Sequence, residues 1–280
     1  MSSAVAQRDQ VVLREVSKTY ETATGDTVAL SPTDLTIAPG EFVSIVGPSG
    51  CGKTTLLQLL GGFLTPTTGE LRVGADAIDG PSAERGVVFQ APTLYPWLSV
   101  RGNIEFGPKV RGVDKKTRRA ESDRLLQLVG LGDVGAKRPY ELSGGMQQRA
   151  QIARVLINDP RIILMDEPFG ALDQLTRERL QVELLRLWRQ AGKTIVFVTH
   201  SVEEAVFLST RVLVMSARPG RVIVDRRIEL PGDAVLPGDA VLPGDTASGD
   251  GRVRDLAVTA TPEFQALKSE LAQAIYDAHR

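Results

Sequence analysis

Short apolar runs set the frame of the chain. Glu41-Phe-Val-Ser-Ile-Val46, Arg161-Ile-Ile-Leu-Met-Asp-Glu-Pro168 and Lys193 to Thr199 are brief and nearly unbroken in hydrophobicity, as expected of buried strands. Arg85 to Gln90, Arg211 to Met215 and Arg221 to Ile228 read as further strands. Val11 to Val16 alternates and is β-branched, so it reads as a half-buried strand, with Ser17 to Tyr20 a polar stretch after it. Thr33 to Ile37 and Glu70 to Val73 are shorter strands. Pro39-Gly40 and Thr65-Pro-Thr-Thr-Gly69 mark turns beside them. Helical spacing appears at Lys53 to Leu60, at Leu125, Leu126, Leu128 and Val129 before Gly130-Leu-Gly132, and at Gln174 to Gln190. Between Ser99 and about Ile157 the pattern is helical and strands disappear.

Beyond Leu230 the character changes. Leu230 to Asp245 holds three tandem copies of Leu-Pro-Gly-Asp, which forbid a regular helix and favour turns. The stretch 229–251 is expected to be a flexible low-complexity linker. Thr261-Pro262 then opens a terminal helix with Phe264, Leu267, Leu271 and Ile275 on one face; 252–280 is expected as a helical tail.

With 280 residues, 42% of them hydrophobic, the chain can bury a sizeable core. A net charge of −1 gives no electrostatic case for nucleic acid. The single cysteine, Cys51, excludes an internal disulfide and fits a reducing compartment. Met1 to Arg8 has no long apolar stretch of the signal-peptide kind, and no run approaches the ~20 residues of a membrane-spanning helix. The expectation is a cytoplasmic protein.

The strongest chemical signal is Gly47-Pro48-Ser49-Gly50-Cys51-Gly52-Lys53-Thr54-Thr55. It is a phosphate-cradling loop, G-x-x-x-x-G-K-[ST], between an apolar strand and a helix. The glycines let backbone N–H groups turn toward a phosphate, and the helix N-terminus adds a positive dipole end. Lys53 can reach the β- and γ-phosphates of a nucleoside triphosphate, and the Thr54 hydroxyl can bind Mg²⁺. Cys51 reads as a small neutral filler. A second helix start, Leu142-Ser143-Gly144-Gly145-Met-Gln147-Gln-Arg149, has Ser143 placed to cap it and glycines that admit a ligand. Asp166 and Glu167 end one apolar strand and His200 ends another, where α/β sheets bind ligands. Gln90 ends a third. Tyr20 is placed to stack on a base or to serve as ordinary packing. Leu94, Tyr95 and Trp97, on a proline-broken stretch after Gln90, mark either a plug under the domain or a docking surface.

In order and spacing these motifs resemble the ATP-binding subunits of ABC transporters, over roughly residues 10–228. Tyr20 is similar to the adenine-stacking aromatic, Gly47 to Thr55 to Walker A, Gln90 to the Q-loop and Leu142 to Arg149 to the signature motif. Ile162 to Glu167 looks like Walker B, Gly170-Ala-Leu-Asp173 like the D-loop and His200 like the switch histidine. The resemblance implies an α/β fold: a RecA-like P-loop NTPase core with an antiparallel β subdomain and an inserted helical subdomain, about 99–157. It implies ATP and Mg²⁺ as ligands, with Thr54, Gln90 and Asp166 at the metal. Glu167 would be general base, His200 would hold the γ-phosphate, and Gln90 would join the metal and water network as a further catalytic residue. Ser143, Gly144, Gly145, Gln147 and Asp173 would act across a head-to-tail homodimer. The implied partners are an integral membrane permease, in two copies, and a solute-binding protein, which would hold the chain at the cytoplasmic face of the membrane.

Gly80 to Gln90, Tyr95-Pro-Trp-Leu98, Glu203 to Phe207 and Thr261-Pro-Glu-Phe264 resemble the nitrate/sulfonate/taurine import group. They imply a small anionic solute. Ser201 and Thr210 depart from that group's pattern, which often has aspartate there. The alternative is a non-transport ABC ATPase, such as an iron–sulfur assembly factor.

Overall fold

The computed structural model describes residues 10–23, 25–231 and 254–278. Phe42–Val46 (β3), Arg85–Val88 (β6), Ile162–Asp166 (β7), Thr194–Val198 (β8) and Arg211–Met215 (β9) form a parallel sheet. Val222–Arg227 (β10) joins it antiparallel at one edge, giving the order β10-β9-β3-β8-β7-β6. The central strands are apolar on both sides because both sides are covered. Phe42, Val46, Ile163, Met165, Ile195 and Phe197 enter one core, while Val43, Ile45, Ile162, Leu164, Val196 and Val198 enter the other. A one-residue slip of any of these strands would exchange its two faces between the cores.

The second sheet is antiparallel, with Val11–Tyr20 (β1), Thr27–Ile37 (β2), Thr68–Val73 (β4) and Asp76–Ala77 (β5) in the order β2-β1-β4-β5. Ser17 to Tyr20, expected outside the strand, lies within β1. Lys18 pairs with Leu30, Tyr20 with Thr27 and Ser17 with Thr68. The buried Ser17 hydroxyl meets the Thr68 hydroxyl at 2.7 Å, so its polarity is satisfied inside the sheet. The same pairing draws Thr68 and Gly69 out of the expected turn and into β4. In the other direction, β6 stops at Val88, so Gln90 sits past the strand rather than on its last residue.

Lys53–Gly61 (α1) buries Leu56, Leu57, Leu59 and Leu60 on the side of the antiparallel sheet. Between β6 and β7 lie Val100–Val110 (α2), Lys115–Leu128 (α3) and Gly144–Leu156 (α4), with no strand among them. Gln174–Ala191 (α5), Val202–Leu208 (α6) and Pro262–Asp277 (α7) complete the other face. Each begins on a side chain that accepts a backbone N–H: Asp173 from Thr176, Ser201 from Glu204, Thr261 from Phe264. The departures at Ser201 and Thr210 thus have local duties. Ser201 caps α6, and the Thr210 hydroxyl donates to the Phe42 carbonyl at 3.2 Å.

Of the Leu-Pro-Gly-Asp stretch only Leu230 and Pro231 are described, with Leu230 buried in the core; residues 232–253 lie outside the described residues. On its far side the chain is tied to the core. Arg254, 7% exposed, sends Nη1 to the carbonyls of Val206, Phe207 and Ser209 at 3.1, 3.0 and 3.0 Å. Phe264, Leu267 and Leu271 of α7 are buried in the core that α6 also enters. Lys268 adds a 2.6 Å ion pair to Glu203 on α6. No helix among the described residues is long and apolar enough to cross a membrane.

Candidate active site

The turn between β3 and α1 is shaped by close backbone approaches. A Cβ on Gly47 would stand 2.7 Å from the Met215 carbonyl, and one on Gly52 2.6 Å from the Ala29 carbonyl. Gly52 also has φ of 96° as the first cap of α1, a conformation that glycine adopts without penalty. Cys51 is buried, with Sγ 3.7 Å from Lys53 Nζ. Lys53 is buried too, and its ammonium donates to the Gly47 and Pro48 carbonyls at 2.9 and 2.8 Å.

A cleft of about 490 Å³ opens over this loop. Tyr20, Ser49, Gly50, Gly52, Lys53, Thr54, Thr55 and Glu167 line it, eight of the residues singled out from sequence. Tyr20 Oη lies 3.4 Å from the Thr55 hydroxyl, and the Lys18 ammonium 5.5 Å from the Tyr20 ring centre. Thr22, Thr27, Ala29 and Arg218 complete the lining. None of these four was marked by a motif.

At the C-terminal end of β7, Asp166 is buried, which pushes its carboxyl above the usual range; a hydrogen bond from the Thr54 side chain opposes this, Glu167 reinforces it and Lys53 opposes it. Glu167 follows with φ of 44°, a left-handed backbone that a side chain adopts only under constraint. Its N–H donates to the Val198 carbonyl at 2.9 Å. That pins the turn to β8 and aims the carboxylate back at the cleft. Glu167 Oε2 accepts from Gln90 Nε2 at 3.1 Å and lies 3.4 Å from His200 Nδ1. Residues 77 and 33 positions away in sequence therefore meet on one carboxylate oxygen. The His200 side chain remains 70% exposed, so a ligand can reach it.

The second helix start is elsewhere. Ser143 caps α4 by accepting the Met146 N–H at 3.3 Å, and Gly145 leaves a Cβ only 3.1 Å from the Ala171 carbonyl. Open space surrounds the missing side chain of Gly144. The Gln147 amide is occupied by the Pro139 and Leu142 carbonyls at 2.9 and 3.3 Å. Asp173 caps α5 through Thr176 at 3.0 Å, and its carboxyl is held below the usual range chiefly by that contact. None of these five residues lines the cleft over the phosphate loop.

Beyond Gln90, Tyr95 and Trp97 stack at 5.4 Å, Tyr95 meets Phe106 at 4.9 Å, and the Arg154 guanidinium stands 5.3 Å from the Tyr95 ring centre. Buried Asn103 fixes the Tyr95 backbone at both N–H and carbonyl. Trp97 is 67% exposed and Val110 70% exposed. Tyr95, Phe89, Phe106 and Val110 line a groove of about 580 Å³.

A family model described as ABC transporter matches residues 30–170. A taurine import ATP-binding protein of Roseobacter denitrificans is 47% identical over 266 residues, 95% of this chain and 93% of the relative. A putative ATP-binding protein of Brucella abortus is 46% identical over 252 residues, 90% of this chain and 89% of the relative. Among solved structures, a dimeric ATP-binding cassette in a post-hydrolysis state with ADP and Pi matches at TM-score 0.73 and 34% identity, covering 78% of this chain and 99% of its own. With the phosphate loop, the paired carboxylates and the separate signature helix in place, these likenesses show that the chain belongs to the ABC transporter family, as one of its ATP-binding subunits.

Proposed function

We propose that this chain hydrolyses ATP to drive a membrane importer of a small organic anion of the sulfonate class. The observation that carries the catalytic part is the meeting of Gln90 and His200 on Glu167 at the rim of the phosphate-loop cleft. The solute class rests on the relatives named for taurine import, which also favour transport over an assembly factor.

Tyr20 offers a ring for the adenine, while loop N–H groups and Lys53 take the phosphates. Lys53 would exchange carbonyl partners for phosphate oxygens. Asp166 and the Thr54 hydroxyl fit a Mg²⁺ ion: both are hard oxygen donors, and burial leaves the Asp166 carboxylate in need of a counter-charge. Gln90 would complete the set. Among the described residues no cluster of three or more His, Cys, Asp or Glu forms a cage, so phosphate oxygens would supply the remaining ligands. Bound there, Mg²⁺ would neutralise charge developing on the phosphates.

Glu167 is the general base, accepting a proton from the water that attacks the γ-phosphorus. His200 Nδ1 holds Glu167 in this structure, and the exposed ring turns to the γ-phosphate. Because Ser143, Gly144, Gly145, Gln147 and Asp173 stand apart from the cleft, they serve a second copy. A two-fold pair then makes two identical composite sites. The groove beside Tyr95 and Phe106 takes a cytoplasmic segment of the permease, which places the subunit at the cytoplasmic face of the membrane.

The test is Glu167→Gln. The amide cannot accept the proton, while Asp166 and Lys53 still bind Mg-ATP. Turnover should fall at least about 10²-fold, and size-exclusion chromatography should show ATP-dependent dimers where wild type runs mostly as monomer. A variant that turns over at the wild-type rate would move the base to another residue.

A further inference from the structure

The cleft holds a cation that the motif set leaves out. Arg218 follows β9 in Ser216-Ala-Arg-Pro-Gly220 and is exposed. It lines the same cleft as Tyr20, Ser49, Gly50 and Thr54. Its Nε lies 3.4 Å from the Gly50 carbonyl, a long contact. Its Nη2 would be 3.5 Å from a Cβ on Gly50. The guanidinium therefore lies over the phosphate loop with most of its five N–H donors available.

The loop that carries it is fixed. Gly220 donates to the Ala29 carbonyl at 3.2 Å and accepts from the Ser31 N–H at 2.8 Å. Ser216 Oγ donates to the Pro219 carbonyl at 3.1 Å and accepts from the Arg221 N–H at 3.2 Å. A Cβ on Gly220 would collide with the Cys51 carbonyl. The segment is thus latched to the back of the phosphate loop on one side and to β2 on the other. A solvated surface arginine needs no such anchorage; a clamp does.

Charge balance gives the clamp its ligand. Among the described residues lining the cleft, Lys53 and Arg218 are the cations, and Lys53 is buried at the loop's centre. A polyphosphate brings several negative charges, and the planar guanidinium fork matches phosphate oxygens better than any other side chain. We propose that Arg218 is a further nucleotide-binding residue, clamping the phosphate chain of ATP over Gly50. This rests on the cleft being the ATP site.

Isothermal titration of the full chain with Mg-ATP at two salt concentrations tests it, on wild type, Arg218→Gln and Arg218→Lys. Arg218→Gln should raise Kd about 5- to 20-fold, scaled for a half-solvated contact, and flatten the salt dependence. Arg218→Lys should keep the salt dependence and lose less affinity, with thermal midpoints unchanged in both. Unaltered affinity in Arg218→Gln overturns the clamp. So does a loss with unaltered salt dependence, which would place Arg218 on the base or ribose, or a loss that tracks a fall in midpoint. If wild type itself fails to bind Mg-ATP, the reading of the cleft falls and takes the clamp with it.

Discussion

Replacing Arg254 by alanine tests how the chain beyond the repeat is held. A helix leaves its last four carbonyls without intrahelical partners. In α6 the Val206 and Phe207 carbonyls, with that of Ser209 just beyond, are taken by Arg254 Nη1. One nitrogen has two hydrogens, so three acceptors amount to about two full bonds. Charge-assisted hydrogen bonds contribute about 1.5–3 kcal/mol each, giving roughly 3–6 kcal/mol. Freeing the long side chain returns up to about 2 kcal/mol of rotamer entropy. The net loss for Arg254→Ala should be about 1–4 kcal/mol, a fall of about 2–8 °C in thermal midpoint for a chain of this size. The internal control is Lys268→Ala. It removes an ion pair across the same α6–α7 contact, but one whose side chains are 37% and 53% exposed, worth under about 1 kcal/mol. Scanning calorimetry compares the two. Turnover adds a second reading, because Ser201 starts α6 directly after His200, and a loosened α6 should lower kcat. A midpoint shift for Arg254→Ala no larger than that for Lys268→Ala would refute the reasoning.

Two further outcomes follow from features already described. The Asp166 carboxyl is raised by burial, so the folded protein holds that proton to higher pH than the unfolded chain. The buried group thus costs stability as pH rises through the raised value, and Mg-ATP should release its proton on binding in mildly acid solution. Titration at a series of falling pH values in two buffers of different ionisation enthalpy should detect, in wild type, a component of proton release that Asp166→Asn lacks; equal release in both at every pH would remove Asp166 from the metal. Deleting two of the three Leu-Pro-Gly-Asp copies should leave turnover and midpoint nearly unchanged, since halving a loop alters its closure entropy by only about 0.6 kcal/mol; a large drop in midpoint would show the repeats packed on the core.

The parts of the fold visible in sequence were those whose signal is local. The buried strands announce themselves as apolar runs because both of their faces are covered, and the phosphate loop is contiguous. The parts not visible depend on what lies across the fold. Ser17 to Tyr20 looks like loop until β2 and β4 pair with it from both sides. Arg218 and Arg254 are single charged residues with no spacing to mark them, and each acquires its place only when a distant carbonyl or cleft comes near. For Arg218 the one local sign was a turn of Arg-Pro-Gly after a strand. Gln90, Glu167 and His200 were each legible as falling near the end of an apolar strand, though all three lie just past it; their sharing of one oxygen was not.

The close approaches at Gly47, Gly52 and Gly220 have a kinetic consequence. Gly47 lies against the Met215 carbonyl, Gly52 against the Ala29 carbonyl, and the loop's own Cys51 carbonyl against Gly220, so the loop is braced from three directions by strands and turns that need no nucleotide to form. A braced loop has little ordering left to lose when its ligand arrives. Association should then proceed in a single step, with an observed rate that climbs in proportion to ATP concentration instead of levelling off at the speed of a loop rearrangement. Selectivity among nucleotides would be decided by how long each one stays.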